Sequence, residues 1–250
     1  MPRPSSGMQD IMKHREAPKR PLAATLGTTC PSPALANAGK TAIDYTLYLV
    51  TDRELMAAGC IEDCVRQAIL GGCTVVQLRE KAASSCEFYL TALRLRELTA
   101  QMGVPLIIND RVDIALAVGA DGVHVGQEDL PCEAVRRMMG PHKIVGASVS
   151  TTAEALAAVE RGADYLGVGA MFATGTKVDA KLTSMDELRE MREKVGIPIV
   201  VIGGINKETI PLFNGTGIDG IAVVSAVVAQ EDEAAAAREL KLLFEDGSRV

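Results

Sequence analysis

The chain contains no tryptophan, and aromatic residues make up only 3 % of its 250 residues. With 48 % apolar residues, this predicts an aliphatic core of the kind that parallel α/β sheets bury. Basic residues are not in excess. The formal net charge is −6, so no broad cationic face exists for nucleic acid, although a local basic site for an anionic metabolite is compatible with it. No apolar run approaches the roughly 18 residues that suggest a membrane span. The six cysteines form no C-x-x-C pair, and three histidines are too few to complete a zinc framework. Cys30, Cys60, Cys64, Cys73, Cys86 and Cys132 read as scattered reduced core thiols, which suits a cytoplasmic setting.

Residues 1–42 have little periodicity and are rich in Pro, Ala, Ser and Thr, so they read as a disordered N-terminal extension preceding a domain over 43–250. Basic residues between Met12 and Arg20 allow an organelle-targeting reading, which Asp10 and Glu16 weaken. From Tyr45 onward the pattern alternates. Strand-like runs fall at Leu47–Val50, Thr74–Leu78, Pro105–Ile108, Gly122–Val125, Ile144–Ala147, Tyr165–Val168, Pro198–Ile202 and Gly220–Val224. Helical spacing fills the gaps, as in Ile61–Leu70, Cys86–Met102, Ala153–Arg161 and Met185–Val195, and Asp232–Phe244 reads as a closing helix. Helix-ending glycines recur at Gly71-Gly72, Gly119-Ala120-Asp121, Gly162-Ala163-Asp164 and Gly217-Ile218-Asp219, each just before a strand. Eight such units predict a closed (β/α)8 barrel. An open doubly wound sheet is the rival, but no G-x-G-x-x-G follows the first strand.

In a barrel, chemistry belongs at the C-terminal ends of the strands. Strand two ends Gln77-Leu78-Arg79-Glu80-Lys81, where alternation puts Gln77, Arg79 and Lys81 on one face. Arg and Lys there suit phosphate oxygens; a surface ion pair with Glu80 is the plainer alternative. Strands three and four end Asn109-Asp110 and His124-Val125-Gly126-Gln127-Glu128-Asp129. Asp110 and Asp129 could share one Mg²⁺, an ion that prefers oxygen ligands and keeps waters for substrate phosphates. Each could equally sit at a helix start, and Glu128 competes as a ligand. His124 reads first as a structural, hydrogen-bonded histidine. Ser148 ends strand five. The long loop after strand six carries Thr174, Gly175, Thr176 and Lys177, a set able to cradle phosphate. Gly203-Gly204 and Val224-Ser225 end strands seven and eight, where barrels often bind phosphate. Two anion sites meeting over Mg²⁺ suggest a transferase with a pyrophosphate leaving group.

Taken in order, YLVTD (48–52), QLREK (77–81), IINDR (107–111), DGVHVGQEDL (121–130), VGAS (145–148), DYLGVGAMFATGTK (164–177), IPIVVIGGI (197–205) and GIAVVSAV (220–227) resemble the thiamine phosphate synthase family. The resemblance covers about residues 44–230 and implies a fold, an activity and a set of roles. Gln77, Leu78, Arg79, Glu80, Lys81, Asn109, Ser148 and Lys177 would hold hydroxymethylpyrimidine pyrophosphate. Asp110 and Asp129 would bind one Mg²⁺. Thr174, Gly175, Thr176, Gly204, Val224 and Ser225 would hold hydroxyethylthiazole phosphate or its carboxylated form. Pyrophosphate would depart first, aided by Arg79, Lys81 and Lys177 as catalytic cations. The thiazole nitrogen would then attack the pyrimidinylmethyl cation, giving thiamine phosphate. The family commonly has Pro where Ala170 and Ala173 stand. The alternatives are a thiazole tautomerase on the same barrel and a non-catalytic phosphate-binding regulatory barrel. The implied partners are small phosphorylated heterocycles, without nucleic acid or membrane; homo-oligomerisation is left open.

Overall fold

A computed structural model describes residues 42–56, 59–173 and 182–247. Eight parallel strands close into a barrel in sequence order. They are β1 (Leu47–Val50), β2 (Val75–Leu78), β3 (Leu106–Asn109), β4 (Gly122–Val125), β5 (Ile144–Val149), β6 (Tyr165–Val168), β7 (Ile199–Val201) and β8 (Gly220–Val223). The outer layer holds α1 (Ile61–Gly71), α2 (Ser85–Gln101), α3 (Val112–Ala117), α4 (Cys132–Met139), α5 (Thr152–Glu160), α6 (Met185–Lys194), a 3₁₀ turn (Ile210–Phe213), α7 (Ser225–Val228) and α8 (Glu233–Gly247). The expected elements therefore recur with shifts of a few residues at their ends. The reading of residues 1–41 as disordered or as a targeting segment lies outside the described residues, as does Cys30. Among the described residues no helix is long and apolar enough to cross a membrane.

The glycine joints explain why the chain alternates so regularly. Gly72, Gly119 and Gly162 have positive φ, the left-handed conformation that ends a helix without a Cβ penalty, and Gly217 has it in the turn that follows the 3₁₀ segment. Two residues later a side chain turns back to cap the neighbouring strand. The Leu47 N–H donates to Thr74 Oγ1 (3.1 Å), and the N–H groups of Leu106, Val145 and Ile199 donate to Asp121, Asp164 and Asp219 (2.9, 2.8 and 2.8 Å). Each of the three aspartates also meets an arginine from a helix: Arg96 of α2, Arg136 of α4 and Arg192 of α6. The N-terminal face thus repeats one device every two β/α units. It consumes strand-end N–H groups that would otherwise lack partners.

Alternation gives the barrel two cores. Outward strand residues such as Leu47, Leu49, Val76, Leu78, Leu106 and Ile108 pack with the helices into an aliphatic layer. The inward residues depart from the aliphatic expectation, because Tyr45, Tyr48 and Tyr165 fill the interior with Val50, Val75, Ile107, Ile144, Val200 and Ala222. Three of the four tyrosines in the chain are therefore inside the barrel. The physical reason is volume. A Cβ on Gly146 would lie 2.3 Å from Tyr165 Cζ, and one on Gly122 would lie 2.9 Å from Ile107 Cδ1, so glycines make the space that rings occupy. The thiol expectation also needs correction. Cys64, Cys73 and Cys132 are buried, but Cys60 and Cys86 are exposed near helix starts; all five are free. Burial pushes the Cys64 and Cys73 thiols up to about 12, so these two are inert.

Candidate active site

The inward parity continues past the strand ends and decides which side chains reach the mouth. On β1 it runs from Tyr48 through Val50 to Asp52, and on β2 from Val75 through Gln77 to Arg79. Arg79 Nη1 donates to Asp52 Oδ2 at 2.9 Å, and its backbone N–H donates to Thr51 Oγ1 at 3.1 Å. Glu80, of the opposite parity, turns away and pairs with Arg53 at 2.6 Å. Arg79 is therefore not neutralised by Glu80. Leu78 is wholly buried in the helix layer, so only its backbone stands near the rim. A cleft of about 600 Å³, bordered by Asp52, Arg53, Arg79, Lys81 and Arg94, opens between these loops and α2. It shares Arg79 and Lys81 with the mouth.

Strands β3 and β4 supply the carboxylates. Asp110 takes a left-handed φ of 64°, a conformation that short polar side chains tolerate better than others. Its N–H donates to His124 O of β4 (2.8 Å), which ties the turn to the neighbouring strand. The carboxylate accepts from Lys81 Nζ at 2.6 Å. Asp129 closes a tight loop after β4, its Oδ2 accepting from the Gly126 N–H at 2.7 Å. Burial pushes the Asp129 carboxyl up, the Gly126 N–H opposes that, and a hydrogen bond and the charge of Asp110 push it up further. The two acids thus face the same part of the mouth, each feeling the other's charge. Glu128, the competing ligand, is exposed. Asn109 ends β3 half-buried, on the inward side with Ile107.

A hydrogen-bonded column fills the barrel beneath this rim. Gln77 Nε2 donates to Tyr48 Oη (2.8 Å), the Tyr48 and Tyr165 hydroxyls meet at 2.7 Å, and Tyr165 Oη lies 2.9 Å from His124 Nδ1. His124 Nε2 then lies 2.8 Å from Ser148 Oγ, at the half-buried end of β5. Burial pushes His124 down to about 4, with the charge of Asp129 opposing, so the imidazole is neutral near pH 7. Burial raises Tyr48 and Tyr165, which remain hydroxyls. The expected hydrogen-bonded role of His124 is observed, while Tyr48, Tyr165 and Asp52 were missed. Strand parity was the signal that could have found them.

On the opposite side, Gly203 and Gly204 have φ of 95° and 67°. A Cβ there would strike Ala170 at 2.6 Å or Phe172 at 2.7 Å, so only glycine lets this turn pass under the β6 loop. Ala170 is buried there, joined to Gly169 by a cis peptide bond. Val224 caps the four-residue α7, and Ser225 is exposed at its start. Thr174, Gly175, Thr176 and Lys177 lie outside the described residues.

The family model "Thiamine monophosphate synthase" matches residues 47–227. Thiamine-phosphate synthase of Clostridium beijerinckii is 60 % identical over 205 residues, covering 82 % of this chain and 98 % of its own. That of Clostridium botulinum is 58 % identical over 206 residues, covering 82 % and 97 %. Among solved structures, thiamine phosphate pyrophosphorylase from Pyrococcus furiosus is 43 % identical with a TM-score of 0.76, covering 82 % of this chain and 98 % of its own. On these matches the chain belongs to the thiamine monophosphate synthase family.

Proposed function

We propose that the rim cluster of Arg79, Lys81, Asp110 and Asp129 binds the diphosphate of a hydroxymethylpyrimidine, and that the β6–β8 side binds a thiazole phosphate. Family membership makes the chain a transferase of thiamine biosynthesis, condensing its substrates to thiamine phosphate. The observation that carries the finer reading is the gathering of Lys81, Asp110 and Asp129 at three successive strand ends, with Lys81 Nζ 2.6 Å from Asp110 and the charge of Asp110 felt by Asp129. Two mutually repelling carboxylates fit a cation better than they fit each other. Mg²⁺ takes oxygen ligands and completes its shell with water and phosphate oxygens, so two carboxylates from the protein are enough for it. Asp110 and Asp129 would hold it; when bound it supplies charge neutralisation at the diphosphate.

Chemistry then follows from charge. Negative charge grows on the departing pyrophosphate, so Arg79, Lys81 and Lys177 stabilise the transition state more than the ground state. Asn109, Ser148 and Gln77, with the Leu78 backbone and the Glu80 segment, orient the pyrimidine end. The pyrimidine amino group donates electrons to the developing cation, so no protein nucleophile is needed. Gly204, Val224 and Ser225, with Thr174, Gly175 and Thr176, hold the thiazole phosphate and present its nitrogen at short range.

The test mixes both phosphorylated heterocycles with the full chain and Mg²⁺ and measures thiamine phosphate. Product that forms with Mg²⁺ and disappears with a chelator supports the reading. Product undiminished by chelator removes the metal role, and turnover of the thiazole alone to its tautomer replaces the reading.

A further inference from the structure

We propose that His124 is a positioning residue, locked as its Nε2–H tautomer by the two tyrosines beneath it, and that it thereby presents the Ser148 hydroxyl to the mouth as a hydrogen-bond donor. Each proton along the buried column has one acceptor to go to. An amide nitrogen only donates, so the Tyr48 oxygen accepts from Gln77. Tyr48 has one proton, and its remaining partner is the Tyr165 oxygen, which must accept it. Tyr165 has one proton, and its remaining partner is His124 Nδ1, which must accept in turn. A neutral imidazole accepting at Nδ1 carries its proton on Nε2. That proton points at Ser148 Oγ and occupies a lone pair of the serine. The serine proton is therefore left for the mouth.

The site is built to keep this order. Tyr48, Tyr165 and His124 are 2 %, 1 % and 7 % exposed, so water does not compete for the protons. The His124 ring sits in a slot between two glycines. A Cβ on Gly146 would lie 2.4 Å from Nδ1, and one on Gly167 would lie 2.9 Å from Cε1. Gln127 Nε2 donates to the Ser148 carbonyl at 2.6 Å, which steadies the serine backbone.

The consequence deepens the functional reading and rests on it: Ser148 faces a lone pair of the pyrimidine substrate, a diphosphate oxygen or an unprotonated ring nitrogen, and rejects an N–H at that point. The first test needs no turnover. The full chain is labelled with ¹⁵N-histidine, and its three histidines are separated with the His124→Gln variant. The expected signal for His124 in the substrate-free protein is a neutral ring protonated at Nε2, becoming a mixture in Tyr165→Phe. An Nδ1–H ring or an imidazolium at neutral pH overturns the proposal.

The second test is kinetic. His124→Gln keeps an amide N–H near the Nε2 position and holds KM for the pyrimidine diphosphate near the parent value. His124→Leu raises that KM by about tenfold, the scale of one lost hydrogen bond, with a smaller change in kcat. On a Ser148→Ala background His124→Leu adds no further loss. Equal damage from Gln and Leu, or additive losses, overturns the positioning role. If the unmodified chain makes no thiamine phosphate, the functional reading falls while the tautomer measurement still decides this one.

Discussion

Replacing Gly146 by alanine adds one methyl group at the most crowded point of the barrel interior. That methyl would lie 2.3 Å from Tyr165 Cζ, 2.4 Å from Tyr165 Cε1 and 2.4 Å from His124 Nδ1. Non-bonded carbons rest at about 3.5–4.0 Å, so the Tyr165 ring must retreat by more than about 1 Å. It has little room, because it is 1 % exposed and its centroid is 4.8 Å from that of Tyr45 and 5.8 Å from that of Tyr48. Overpacking of this kind costs about 1–3 kcal/mol. Moving the ring also breaks the hydroxyl contacts to Tyr48 and His124, at about 1 kcal/mol each. The sum is about 3–5 kcal/mol. For a domain of this size that lowers the unfolding midpoint by about 6–20 °C. Scanning calorimetry of the variant against the parent reads the shift directly, and the pyrimidine KM should rise with it, since Ser148 hangs from the same column. A midpoint within about 2 °C of the parent would refute the placement of both rings.

Asp110→Ala and Lys177→Ala should each lower turnover at least about a hundredfold in folded protein, the scale of a main electrostatic contact. Steady-state formation of thiamine phosphate reads this. Asp164→Ala removes the acceptor of the Val145 N–H and one partner of Arg136, which keeps its bonds to the Gly140, Lys143 and Gly162 carbonyls, and should destabilise by about 1–3 kcal/mol in urea while leaving KM unchanged. His124 stays neutral when folded down to about pH 4 but gains a proton near 6.5 when unfolded. Below pH 6.5 the unfolded state therefore binds more protons, so stability falls as pH drops through that window, by up to about 3 kcal/mol. His124→Gln should flatten that slope in urea titrations taken at several pH values. Deleting residues 1–40 should leave kcat and KM intact, and a large loss would assign the extension a role in the site.

Parts of this protein are written locally. Helix-ending glycines, strand runs of four or five apolar residues and G-x-D joints depend only on neighbours in the chain, so the eight-unit barrel and the likeness of its rim motifs to one family were legible from the sequence. Period-two alternation also correctly separated Arg79 from Glu80, although their salt-bridge partners, Asp52 and Arg53, lie on another strand. The aliphatic core was a composition argument, and it failed inside the barrel because composition does not say where three tyrosines go. Register decides that. Tyr165 faces inward opposite Gly146, and Tyr48 pairs with Val75 and Ala222, so rings and glycines from different strands interlock.

The sequence by itself determined the order of elements, the faces of each strand and which residues stand at strand ends, since these follow from backbone geometry over a few residues. Only the tertiary structure decided that Lys81 meets Asp110 and that a line of hydroxyl and imidazole groups runs from Gln77 to Ser148. Those contacts join residues from tens to more than a hundred positions apart. Pairing of neighbouring strands brings Lys81 to Asp110, Gln77 to Tyr48 and His124 to Ser148, while the contacts of Tyr165 with Tyr48 and His124 join strands that are not paired and exist because closure turns every inward side chain toward one axis.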